Sequence, residues 1–124
     1  MTIPDSVTTI NSNAFSNCYF VNFVNNSNLN AASNNYWGAI ILDSETDGIC
    51  IKNNSLVKYR GSATNITIPN TITSIGNSAF SNCTGITSVT IPSSVTSIGS
   101  YAFGACSNIT SITIERTTPP TLSN

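Results

Sequence analysis

In the stretch Ile86–Pro92, "ITSVTIP", the apolar residues Ile86, Val89 and Ile91 end in an alternating β-branched pattern, which predicts a half-buried strand. Pro92 closes it, because proline has no N–H for a ladder. In the following "SSVTSIG", Val95 and Ile98 are spaced to turn inward on a second short extended segment. Gly99 is the expected positive-φ turn. Asn11 takes its place in the first copy, and Asn tolerates that conformation best after Gly. "SYAFGAC" then predicts a single helical turn that directs Ala102, Phe103 and Cys106 inward.

The pattern recurs. One constant offset carries Pro69 to Pro92, Cys83 to Cys106, Ile86 to Ile109, Val89 to Ile112, and Ile91 to Ile114. Another copy opens the chain, "TIPDSVTTINSNAFSNC" (Thr2–Cys18), and a partial one starts at Ile109 and departs where Glu115 replaces the proline. One unit cannot bury its apolar side alone, so copies must stack coil on coil. The expected fold class is mainly β with short helical turns: a solenoid of 23-residue coils.

The composite "IP.SVTSIG..AF..C..ITSVTIP" resembles the BspA-like leucine-rich repeats, a bacterial and protist branch of the leucine-rich repeat superfamily. The resemblance covers Thr2–Cys18 and Ile66–Ile114, and the ending "TTPPTLSN" is similar to a family terminus or a join between repeats. It implies a right-handed leucine-rich-repeat solenoid in which a strand or hairpin insertion is built into the wall. It also implies a surface or secreted adhesin, hence an extracellular or cell-surface location. The first copy begins part-way into a unit, so a piece of a longer protein is expected.

The middle breaks the period, since the offset from Ile3 to Ile68 is not a whole number of repeats. Val21 and Val24 follow Cys18 as Ile86 and Val89 follow Cys83, so one more strand is expected on schedule. Asn25–Asn35 is expected as a polar loop or linker. Tyr36–Leu42 is expected as a strand, and Gly48–Tyr59 as a β-hairpin turning at Asn53-Asn54. The expected organisation is one domain over 1–124, with regular coils at 2–24 and 66–114 and an irregular, enlarged coil at 25–65.

Only 7% of residues are charged, against roughly 25% in typical globular proteins. Ser, Thr and Asn must therefore cover the surface. A net charge of -1, with Lys52, Lys58 and Arg60 as solvated hairpin charges and Arg116 isolated, excludes electrostatic capture of nucleic acid or anionic membrane. No apolar run approaches the roughly 18 residues of a span, so membrane insertion is not expected. The N-terminus has no secretory-signal pattern.

Candidate chemistry is sparse. The chain has no His, which removes the commonest general base and every Ser-His or Cys-His pair. No catalytic residue or cofactor is expected. Asp43, Glu45, Asp47 and Gly48 imitate the start of an EF-hand loop, but the twelfth position is Asn54 rather than a bidentate Glu. A solvated turn between strands is expected there, and no metal site. Cys18, Cys83 and Cys106 share one repeat position, which predicts a column of small, buried, free thiols, with Cys50 inward on the hairpin. The sequons at Asn25, Asn53, Asn65, Asn82 and Asn108 are what chance supplies in so Asn-, Ser- and Thr-rich a chain.

That leaves the outward strand positions. Thr87, Ser88 and Thr90, repeated as Thr110, Ser111 and Thr113 and extended by Thr67 and Thr2, are expected to form ladders on one uncharged face. Thr suits exposed strand positions for structural reasons alone, yet repeat solenoids also bind through such faces. Tyr36 and Tyr59 are candidate aromatic anchors, with Trp37 either an anchor or core. The expected function is a non-enzymatic interaction module with a host or matrix protein, or another cell, as partner. Alternatives are a structural spacer, and glycan or ice-like surface binding by the threonines. Self-association through an uncapped solenoid end is a further expectation.

Overall fold

The computed structural model describes residues 1–30, 35–115 and 121–123. Arg116 and residues 117–120 of the proline-containing ending lie outside the described residues, as do residues 31–34 of the polar stretch. Contacts divide the chain into two compact units, Met1–Ser44 and Glu45–Asn124. The architecture is nearly all β, built of solenoid coils as the repeat predicts.

In the first unit, β1 (Thr2–Ile3) pairs in parallel with β3 (Val24–Asn25), and β2 (Tyr19–Phe20) with β4 (Ile40–Ile41). The strand expected at Val24 is there, but its register is Thr2↔Val24 and Tyr19↔Ile40, slightly short of the regular period. The expected strand over Tyr36–Leu42 is shortened to Ile40–Ile41. Asn35–Gly38 turns tightly instead, because Tyr36, Trp37 and Gly38 all adopt positive φ. The turn swings Trp37 into the core at 2% exposure. It also offers the Trp37 carbonyl to the Phe15 N–H at 2.9 Å. Phe15, Phe20, Phe23 and Trp37 pack ring to ring with centroids 5.9–6.4 Å apart, and Tyr36 stands edge-on to Phe23. Asn25 folds the polar stretch locally, accepting the Ser27 N–H at 3.0 Å and donating to the Leu29 carbonyl at 2.6 Å.

The second unit has two sheets. One is parallel, in the order β8 (Asn65–Thr67), β10 (Ser88–Ile91), β12 (Ser111–Ile114). The other runs β5 (Ser44–Thr46), β6 (Ile49–Lys52), β7 (Ser55–Tyr59), β9 (Ser74–Ile75), β11 (Ser97–Ile98), β13 (Thr121–Leu122). The registers Val89↔Ile66, Val89↔Ile112 and Ile98↔Ile75 keep the repeat period. Ile66, Ile68, Ile72, Ile75, Ile86, Val89, Ile91, Val95 and Ile98 are buried, as the alternation requires. Phe80 lies stacked between Tyr59, at 5.3 Å, and Phe103, at 5.0 Å. The β6–β7 hairpin turns through Asn53 and Asn54 with φ of 50° and 59°, the positive-φ pair that a two-residue hairpin demands.

Two local expectations are corrected. "SYAFGAC" and its counterparts are not helical turns but successive β-turns. In the Ser78–Cys83 copy alternate N–H groups reach the next coil, Ser78 to the Ser100 carbonyl at 2.9 Å, Phe80 to Ala102 at 2.7 Å and Asn82 to Gly104 at 2.8 Å, while Ala79, Ser81 and Cys83 close turns on Gly76, Ser78 and Phe80. A helical turn would consume those donors. Positive φ falls not at Gly99 or Asn11 but at Asn13, Ser78 and Tyr101, and again at Asn17, Asn82 and Ala105, so that each repeat cysteine directly follows one such residue. Gly99 serves close approach instead. A β-carbon there would lie 2.6 Å from the Asn77 nitrogen and 2.8 Å from the Gly76 carbonyl carbon, so only glycine lets adjacent coils seat at that corner.

Candidate functional site

The β8–β10–β12 sheet carries the predicted ladders in register. Asn65, Ser88 and Ser111 form one column and Thr67, Thr90 and Thr113 another. Buried isoleucine and valine occupy the alternate positions of β8 and β10, which turns these side chains outward, while on β12 the matching Ile112 and Ile114 are themselves exposed. The rungs differ in how their hydroxyls are held. The Thr87 hydroxyl donates to the Thr64 carbonyl and the Thr110 hydroxyl to the Thr87 carbonyl, each at 3.2 Å. Ser88 donates to Asn65 Oδ1 at 2.7 Å. No hydrogen bond of the Thr67, Thr90 or Thr113 hydroxyl occurs among the described residues. Thr2 pairs with Val24 within the first unit and is no rung of this sheet.

The aromatic candidates part company. Tyr36 is partly exposed at 36%. Tyr59 is 3% exposed, its ring stacked on Phe80 and its hydroxyl accepting the Ala63 N–H at 3.0 Å. Its role as a surface anchor is therefore corrected to core, and Trp37 is likewise core.

All four cysteines are free. Cys50 is fully buried, while Cys18, Cys83 and Cys106 are only half-buried. The Cys106 thiol donates to the Phe80 carbonyl at 3.0 Å. Burial pushes the thiols of Cys50 and Cys83 above their ordinary value, with the neighbouring Cys106 adding to the effect at Cys83. Both are protonated, unreactive groups near neutral pH.

The acidic stretch resolves into a hairpin. Asp47 and Gly48 adopt φ of 52° and 82° between β5 and β6, an Asp-Gly turn signal that the calcium-loop likeness masks in the sequence. Glu45 is held by Arg60, whose Nε donates to it at 2.8 Å. Hydrogen bonding to Arg60 lowers the Glu45 pKa, and the same pairing raises that of Arg60. Beside this turn lies a cavity of about 450 Å3, lined by Asp47, Ile49, Tyr59, Ser62, Asn65 and Thr67 among others. Nothing in the residue pattern alone marked it, because it arises where the period fails.

A family model described as the BspA type leucine rich repeat region matches residues 1–43 and 50–121 in six copies. The chain belongs to the BspA-type leucine-rich repeat family, whose repeats form protein-interaction modules. No curated protein and no solved structure matches the chain. Among the described residues no helix is long and apolar enough to cross a membrane.

Proposed function

We propose that this chain is a non-enzymatic adhesion module of a cell-surface or secreted protein, and that it contacts a host or matrix protein through the outer face of β8, β10 and β12. The observation that carries the reading is the column Thr67–Thr90–Thr113. Its uncharged side chains stand in register on a parallel sheet, with hydroxyls that no group among the described residues occupies. A flat array of this kind offers donors and acceptors at a strand spacing of about 4.8 Å, and solenoids use such extended faces for binding. Ser88 and Ser111 widen the array, whereas Thr87 and Thr110 act as clamps between coils.

The test is binding of the purified chain to individual matrix proteins and a glycan array, repeated with Thr67, Thr90 and Thr113 changed together to Lys. Loss of binding with an unchanged circular dichroism spectrum supports the face. Unchanged binding removes it from consideration. Absence of any binding supports a spacer instead, and thermal hysteresis would point to an ice-like surface.

A further inference from the structure

The three-stranded sheet stops at β8, one rung short of what its own period calls for. Counting back one repeat from Asn65–Thr67 leads to positions 42–44, but the chain there runs into β5, which joins the other sheet beside β6. The inner side of β8 is occupied: Ser88 N–H donates to the Thr64 carbonyl and Ile68 N–H to the Thr90 carbonyl. In a parallel ladder this pattern turns the N–H and C=O of Asn65 and Thr67 to the opposite edge. Outside the β8–β10 ladder no backbone hydrogen bond to those four groups occurs among the described residues, and both residues are exposed.

The 450 Å3 cavity opens along that edge, within the roughly 300–1,000 Å3 of ligand pockets. Its walls supply Ile49, Ile66 and the Tyr59 ring as apolar surface, and Asp47 as a carboxylate with no ion-pair partner among the described residues. Gly48 and Gly61 hold the wall in place. A β-carbon on Gly61 would come 2.6 Å from the Asp47 carbonyl oxygen and 2.7 Å from the Tyr59 ring. Asp47 and Ile49 also fall in the one internal gap of the family match, between residues 43 and 50.

We propose that β8 is an acceptor edge for an extended peptide of a partner protein, which adds as a parallel strand in place of the absent rung. The peptide's main chain bonds to Asn65 and Thr67, an apolar side chain enters beside Ile49, and a basic side chain meets Asp47. Main-chain pairing supplies affinity in strand addition, and the alternate side-chain positions supply specificity. The proposal rests on the protein-interaction reading above and adds to it the class of ligand and a place for it.

The probes are three capped synthetic heptapeptides: the sequence of residues 86–92, and the same peptide with Lys or with Glu at its third position. Each is titrated into the full chain and followed by fluorescence anisotropy and amide hydrogen exchange. The expected result is slowed exchange at the Asn65 and Thr67 amides, with the lysine peptide binding several-fold more tightly than the glutamate peptide. Asp47→Asn should erase that difference while preserving the turn, because Asn also accepts positive φ. Thr67→Pro, which removes an edge donor where proline is tolerated, should weaken all three peptides at least tenfold. The double variant Thr90→Lys/Thr113→Lys should leave peptide binding intact. If no peptide slows exchange at Asn65 and Thr67 up to millimolar concentration, the proposal is overturned. Matrix-protein binding that persists in Thr67→Pro but disappears in the double variant would then leave the broader reading standing.

Discussion

The side-chain oxygen of Asn77 accepts the backbone N–H of Ser100 at 2.8 Å, tying one coil to the corner of the next directly beside Gly99. The two residues show how coils of this chain are joined: a polar side chain on one coil satisfies a backbone group on its neighbour, and a glycine allows the approach. Gly99→Ala should therefore destabilise the chain by about 2 kcal/mol or more, as a methyl group driven into rigid backbone does. Gly85→Ala meets nothing within 4 Å and should be neutral or raise stability by about 0.5 kcal/mol through the unfolded state. Urea melts of the two variants check the contrast, and equal effects would refute it.

Ser94 Oγ is buried with no hydrogen-bond partner among the described residues. An orphaned hydroxyl costs desolvation without return, so Ser94→Ala should raise stability by up to about 1 kcal/mol. A measurable loss in thermal unfolding would show that Ser94 has a partner after all.

Tyr101 holds φ of 53° although its side chain is 76% exposed. Left-handed backbone costs a tyrosine about 1 kcal/mol, and little packing offsets it here. Tyr101→Asn, which places at this corner the residue found at Asn13 in the first unit, should stabilise by about 0.5–1 kcal/mol. Chemical denaturation gives the sign directly.

The raised thiols of Cys50 and Cys83 make stability depend on pH in one direction. The neutral forms are favoured in the folded chain, so their contribution is intact below the ordinary thiol pKa of about 8.5 and declines as pH rises through the folded values. Denaturation midpoints should be level from about pH 6 to 8 and fall between about pH 8.5 and 9.5, before tyrosine ionisation intervenes. Cys83→Ala should flatten part of that fall, and an unchanged slope would assign it elsewhere.

The regular coils were legible because their signals are local and repeated. Ile86, Val89 and Ile91 declare a strand, and their copies one period away declare its neighbour. The Asn53-Asn54 hairpin was legible for the same reason, since a turn carries its own chemistry. What escaped depends on which donor wins. The Ala-Phe segments look helical until the next coil claims every second N–H group, and Tyr36-Trp37 looks extended until the demand to bury an indole bends it. Tyr59 could not be told from a surface anchor by composition, because only the neighbouring Phe80 ring decides its place. The cavity beside β8 was illegible on principle: it is defined by a strand that the sequence does not put there.

The sole tryptophan, Trp37, sits in the aromatic cluster of the first unit, whereas the Tyr59–Phe80–Phe103 stack belongs to the second. Indole emission excited at the red edge reports on the first unit alone, and far-ultraviolet dichroism reports on both units together. One of the two units thus carries its own optical label. Whether the two melt together or separately can be read from a single unmodified sample.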